Sequence, residues 1–335
     1  MPELQASARA PAKVILFGEH AVNRGQMGIA AGVGLFARCS LMLDGAMYRF
    51  EGAGEQQVAA RAGILALRRD VDAWRESSNF EAIRRLARED FFAPQKYIIA
   101  HAFGDDLPPG LEARFESEIP PSSGLGSGGA AFAALAGALA QLRAEVKPQT
   151  IGEWAWLGDV IAHGGVASAL DTQTSLLAGV IRYTREGWGE RIPFDPSLAL
   201  VIAHTGIGAR TSEINARVRQ WLAEETGRMR YFDMIGVLAR DAQAALAGGD
   251  WPLVGKLMNM NQLVLEKIGV SCPELANLID AALAAGAFGA KLSGSGGGGI
   301  MVALVSDETR DPVARALGKA GAGAVYTPNI HSIQP

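Results

Sequence analysis

Near the middle of the chain, Pro120-Pro121-Ser122-Ser123-Gly124-Leu125-Gly126-Ser127-Gly128-Gly129 joins an alternating polar and apolar segment to a long apolar one. Glycines allow a close backbone approach, and the free N–H groups of a first helical turn, aligned with the helix dipole, attract phosphate oxygens. The loop contains no Lys or Arg. Phosphate charge would therefore be met by backbone amides, a divalent metal and residues from elsewhere. A glycine-rich turn with no ligand fits the same ten residues. So does G-x-G-x-x-G, at Gly124, Gly126 and Gly129. The dinucleotide reading needs a buried parallel strand before the loop and an acidic residue about 20 positions on, at the end of a second strand. Here the preceding Leu111 to Ile119 alternates with charged residues, and Glu145 directly follows a helical stretch. A Rossmann unit is disfavoured. The absence of G-x-x-x-x-G-K-[ST], H-R-D and D-F-G sets aside P-loop NTPases and protein kinases.

A second cluster, Lys291-Leu292-Ser293-Gly294-Ser295-Gly296-Gly297-Gly298-Gly299, separates two predicted strands. A two-residue turn would make a hairpin, so this much glycine implies backbone packed against something. A flexible surface loop is the alternative, weakened by the apolar Ile300 to Val305 that anchors one end.

The elements that must position these clusters follow from periodicity. Strands are predicted at Val14–Phe17, Gly28–Leu43, Leu111–Ile119, Val180–Tyr183, Gly289–Leu292, Ile300–Val305 and Ala324–Thr327. Helices are predicted at Val58–Trp74, Phe80–Phe103, Ala130–Arg143, Ile151–Ala162, Thr211–Glu225, Tyr231–Ala247, Trp251–Ile268 and Pro273–Ala284. Without a regular βαβ rhythm, the fold class is α+β with antiparallel sheets. The polar turn Thr184 to Glu190 divides the chain into predicted domains 1–184 and 185–335.

Composition narrows the function classes. A formal net charge of −4 argues against nucleic acid as a partner. Two cysteines, Cys39 and Cys272, without paired spacing exclude a disulfide framework or a cysteine zinc site and fit a reducing cytoplasm. No signal-peptide pattern is read at the N-terminus, and the longest apolar stretch, Ala130 to Ala140, is too short to span a bilayer.

Three separated motifs resemble the GHMP kinase superfamily, most closely its mevalonate kinases. Ala10-Pro11-Ala12-Lys13-Val14-Ile15-Leu16-Phe17-Gly18-Glu19-His20-Ala21-Val22 is similar to the family's N-terminal motif. Pro120 to Ala131 is similar to its ATP loop, and Gly289 to Gly299 to its C-terminal glycine motif. The resemblance implies two α+β domains with ATP and substrate in the cleft between them, and phosphoryl transfer from ATP to a primary alcohol with Mg²⁺ present. Mevalonate is then the expected small-molecule partner, with no nucleic acid or membrane and a homodimer as an admissible assembly.

The resemblance also suggests roles. His163 to Thr172 looks like the family's substrate motif, which makes Asp171 the catalytic carboxylate that accepts or orients the hydroxyl proton. Lys13 would favour the developing alkoxide. Residues 121–129 (Pro121, Ser122, Ser123, Gly124, Leu125, Gly126, Ser127, Gly128 and Gly129) would cradle ATP. Asp159 falls where the family places an acidic metal ligand, with Ser127 as a second donor. Glu19, His20, Arg210, Thr211, Ser293 and Gly294 would meet the substrate. Plainer roles fit several of these. Asp171 can cap a short helix over Thr172–Leu177, Thr211 can cap the next one, and Lys13 and Asp159 can be solvated charges.

Two positions depart from the family pattern. The loop usually reads G-L-G-S-S-A, and its second serine, a metal ligand, is Gly128 here. The substrate motif has Ala169 where many members have glycine. A kinase for phosphomevalonate, one acting at the 3-hydroxyl, and a catalytically silent binding protein on the same fold are the alternatives.

Overall fold

A computed structural model describes residues 4–43, 45–120, 123–185, 187–195, 197–209 and 211–331. The chain forms two compact units. The first comprises residues 1–12, 35–119 and 126–176, the second residues 13–34, 120–125 and 177–335. Strands β1 (Leu4–Phe17) and β2 (Gly28–Leu43) pass from one unit into the other.

In the first unit, β2 pairs antiparallel with β5 (Leu111–Ser117), and β5 pairs parallel with β3 (Tyr48–Gly52), which turns back into β4 (Glu55–Ala59). The sheet is thus mixed, not purely antiparallel. The β3–β4 loop is Ala53-Gly54, both at positive φ (54° and 81°), the backbone of a tight hairpin turn. Ala-Gly is a weak hairpin signal, and helix was predicted from Val58. The helix there, α1 (Arg61–Glu76), starts three residues later.

The long helix expected over 80–103 is two, α2 (Phe80–Glu89) and α3 (Ala93–Phe103). Pro94 has no N–H for a continuing helix but fits the first turn of a new one. Asp90 fills the break, its Oδ1 accepting from the Phe92 amide. Helices α4 (Ser127–Gln141), α5 (Pro148–Ala162) and α6 (Leu170–Leu177) complete the unit. Buried Ile98, Ile99, Leu135, Leu139 and Ile161 belong to one core with Tyr48, Phe50 and Leu111 of the sheet.

In the second unit, residues 28–31 of β2 pair with β6 (Val180–Tyr183), which pairs with the short β7 (Glu190–Arg191). A separate antiparallel sheet has the order β11-β8-β10-β9. Its strands are β8 (Ala199–His204), β9 (Gly289–Ser293), β10 (Ile300–Val305) and β11 (Ala324–Tyr326). Every residue of β10 is buried, as its unbroken apolar run requires.

Helices α7 (Thr211–Glu224), α8 (Met229–Ala247), α9 (Trp251–Ile268), α10 (Pro273–Ala284) and α11 (Asp307–Lys319) belong to the same unit. Helix α11 went unpredicted because Pro312 interrupts its pattern; a Ser306–Thr309 capping box starts it nonetheless. Along the outer edge of β9, side chains of α9 replace a further strand. Asn259 Oδ1 accepts from Ala290 N (2.9 Å) and Gln262 Oε1 from Leu292 N (3.0 Å). No helix among the described residues is long and apolar enough to cross a membrane.

Candidate functional site

The first unit holds the helical end of the first glycine cluster. Gly126, at φ 73°, is the N-cap of α4, so Ser127, Gly128 and Gly129 form its first turn. The N-cap residue, being glycine, supplies no side-chain cap of its own. Gly129 explains what the turn rests on: an added Cβ would lie 3.0 Å from Asp171 Cβ and 3.2 Å from Thr172 N. A side chain there would require the start of α6 to give way. Asp171 lies within the first turn of α6, which begins at Leu170, and is half-buried with its Cβ beside the first turn of α4.

Asp159 is 3% exposed on α5, with His163 Nε2 4.0 Å from its Oδ1. The helix packs on α4 through Gly158, where a Cβ would strike the Phe132 ring at 2.5 Å. The same ring lies 3.6 Å from a Cβ built on Gly128, so Phe132 bridges the Asp159 region and the glycine turn. Among the described residues, a Cβ at 128 would meet only that ordinary contact. Packing does not impose the departure from the family loop.

The second unit holds the N-terminal motif, the strand side of the first loop and the second cluster. Lys13, 4% exposed, donates its amide to Leu125 O (2.9 Å), tying β1 to the loop. Ser123 is buried and its Oγ accepts from Leu125 N at 3.4 Å. Pro121, Ser122 and Arg210 lie outside the described residues.

Glu19 is 1% exposed and paired with Lys291, whose exposure is zero; Lys291 Nζ also donates to Leu292 O (2.6 Å). Burial pushes the Glu19 carboxyl up and the Lys291 ammonium down, each against the pull of its partner. Lys13 belongs to the same electrostatic neighbourhood and favours the Glu19 carboxylate.

His20 is 6% exposed, at φ 60°, with Nε2 2.9 Å from Ser295 O. A carbonyl can only accept, so Nε2 carries the proton. Burial lowers the imidazole to about 4, leaving it neutral at pH 7 with Nδ1 an acceptor. Ser293 is buried, its Oγ accepting from Ile15 N at 2.8 Å. Among the described residues, no atom lies within 4 Å of a Cβ built on Gly294. Thr211 is the first residue of α7, and its hydroxyl lies 3.1 Å from Ser295 Oγ.

The second cluster is packed rather than flexible. At Gly296 (φ 80°) a Cβ would fall 2.0 Å from Val270 O, and the Gly297 and Gly299 amides bond Val270 O and Ile207 O, both at 2.8 Å.

Sequence reasoning gave no role to Lys291 or Ser295. Both lie in the second motif, and their partners are some 270 residues away.

Two family models match the chain, GHMP kinases N terminal domain over residues 93–179 and GHMP kinases C terminal over 242–323. A mevalonate kinase of Thermococcus gammatolerans is 31% identical over 335 residues, covering 97% of this chain and 96% of the relative. The chain belongs to the GHMP kinases, within the mevalonate kinase family. Among solved structures, L. major mevalonate kinase in complex with R-mevalonate matches with TM-score 0.75 and 27% identity, over 98% of this chain and 97% of that one. Lactococcus lactis galactokinase complexed with galactose also superposes (TM-score 0.76, 18% identity, 98% and 94% coverage). At that identity only the two-domain α+β GHMP kinase fold is shared, so fold alone does not select the acceptor.

Proposed function

We propose that this chain transfers the γ-phosphoryl group of ATP to the 5-hydroxyl of mevalonate, giving 5-phosphomevalonate and ADP. The hydroxyl oxygen bonds to Pγ, the bond from Pγ to the bridging oxygen of the β-phosphate breaks, and the hydroxyl proton passes to the Asp171 carboxylate. The observation that carries the reading is the seat of Asp171. Gly129 brings Asp171 against the first turn of α4, whose N-cap is a glycine without a side chain and whose N–H groups suit phosphate oxygens. Phosphoryl transfer is largely positioning and charge stabilisation, which such a turn and a neighbouring proton acceptor can supply. Lys13 is assigned to the charge developing on the attacking oxygen.

For Mg²⁺, the Asp159 carboxylate and the Ser127 hydroxyl are hard oxygen donors of the type the ion prefers, and it commonly takes few ligands from the protein. The Phe132 contact that links their two helices supports this pairing. When bound, the ion would neutralise charge on the phosphate oxygens. His20, neutral with Nδ1 as acceptor, is suited to a hydroxyl of the substrate rather than to its carboxylate.

A coupled ADP-release assay tests the proposal with mevalonate, phosphomevalonate and galactose as acceptors. Turnover is expected on mevalonate. Turnover confined to another acceptor would overturn it.

A further inference from the structure

The Gly18–His20 turn is built from unfavourable backbone. Gly18 is at φ 100°, where a Cβ would lie 2.5 Å from Gly28 Cα, and His20 is a non-glycine residue at φ 60°. Such conformations persist only where the surroundings hold them. On one side Arg24 Nη1 donates to His20 O at 2.6 Å, its guanidinium lying over the Phe232 ring. On the other, the turn and the strand before it are tied to the second glycine motif at three points. Ile15 N donates to Ser293 Oγ, Lys291 pairs with Glu19, and His20 Nε2 donates to Ser295 O. Lys291 and Ser293 are two apart on β9, so both project from one face.

Of the three ties, only the Lys291–Glu19 pair requires charge in a wholly buried place. Fully buried ion pairs are poor sources of stability, because desolvation offsets most of the attraction. Glu19 Oε2 has no hydrogen-bond partner among the described residues, which raises that cost further. An apolar pair of similar volume would fill the space at least as stably. What it would not supply is a directional link between residues 272 apart in sequence.

We propose that Lys291 is a positioning residue for the acceptor alcohol. Through Glu19 it fixes the Gly18–His20 turn against the Ser293–Ser295 edge, and so sets where His20 meets the substrate. This rests on the assignment of His20, Ser293 and Gly294 to the acceptor. Lys291 itself touches neither reactant.

The test compares Lys291→Met, Glu19→Gln and the double variant by steady-state kinetics, thermal denaturation and NMR titration of the His20 imidazole. Lys291→Met leaves a buried carboxylate unpaired and is expected to lower Tm. The double variant removes that charge, recovers most of the loss, and keeps the experiment decisive if the single variant fails to fold. In the double variant the KM for mevalonate stays raised about tenfold or more, while the KM for ATP stays within about twofold of wild type. The His20 midpoint moves from its depressed value toward 6.5 as the ring leaves Ser295. A double variant with wild-type Tm, wild-type KM for mevalonate and an unmoved His20 midpoint would reduce the pair to charge balance and overturn the proposal. Equal rises in both KM values would also overturn it. If the wild-type chain does not phosphorylate mevalonate, the functional assignment fails instead, and the His20 titration still decides whether Lys291 positions the turn.

Discussion

The two glycine clusters look alike in sequence and do opposite things. In the second, Gly296, Gly297 and Gly298 are there because neighbouring backbone or side-chain atoms occupy the space. The motif is bonded to Val270 and Ile207, and a Cβ at Gly296 has nowhere to go. In the first, the helical end starts on a glycine with no side-chain cap of its own, and among the described residues an added Cβ at Gly128 meets only the edge of a ring. Glycine content alone therefore does not distinguish a loop that receives a ligand from one that receives its own chain. The distinction lies in what fills the missing side chain's place. Gly129 belongs with the second kind although it lies in the first cluster, because its space is taken by Asp171.

The largest expected effect comes from forcing a side chain into the packed cluster. Gly296→Ala combines a left-handed backbone with a Cβ against a carbonyl oxygen and is expected to cost about 3 kcal/mol or more. Chemical denaturation checks this, and a change below about 1 kcal/mol would mean the cluster is not packed.

A second effect, of comparable size but dependent on pH, probes the link from His20 to Ser295. The imidazole titrates near 4 in the folded protein against an ordinary 6.5, so on acidification the unfolded chain takes up this proton first. Stability from this group is complete above pH 6.5 and is lost as pH falls toward 4, by about 3 kcal/mol in total. Other groups titrate in the same window, so the measurement is the difference between wild type and His20→Asn at pH 7.5 and pH 4.5. Asparagine tolerates the positive φ and does not titrate. A pH-independent difference would contradict the assignment.

The smallest effect contrasts neighbours in the first cluster. Gly128→Ser should leave stability within about 0.5 kcal/mol and activity near wild type, since serine suits a helix better than glycine and the site is open. Gly129→Ala, one residue on, should lower kcat by about tenfold or more with a modest loss of stability, because its Cβ displaces Asp171. Equal responses at the two positions would erase the distinction.

Strongly periodic elements were legible in the sequence: β2, β10, α9 and α10 begin and end where their patterns do. Local chemistry hid others. The β3–β4 hairpin turns on an alanine at positive φ, Asp90 splits a continuous helical pattern, and Pro312 masks α11. In the candidate site, motif residues could be named because each belongs to a short run with a recognisable order. Lys291 could not, because a lone lysine at the start of a glycine-rich turn reads as a solvated charge. Its meaning depends on Glu19, which only the tertiary fold brings to it. The parallel β3–β5 pairing escaped for the same reason, since nothing local distinguishes it from an antiparallel one.

The central claim is that Asp171, seated by Gly129 on the first turn of α4, serves the chemical step and not nucleotide binding. Asp171→Asn keeps the size of the side chain and removes its ability to take a proton. Measured side by side, kcat with saturating mevalonate should fall by about a thousandfold or more, while the ATP dissociation constant stays within about threefold of wild type. Near-normal turnover in this variant would contradict the account.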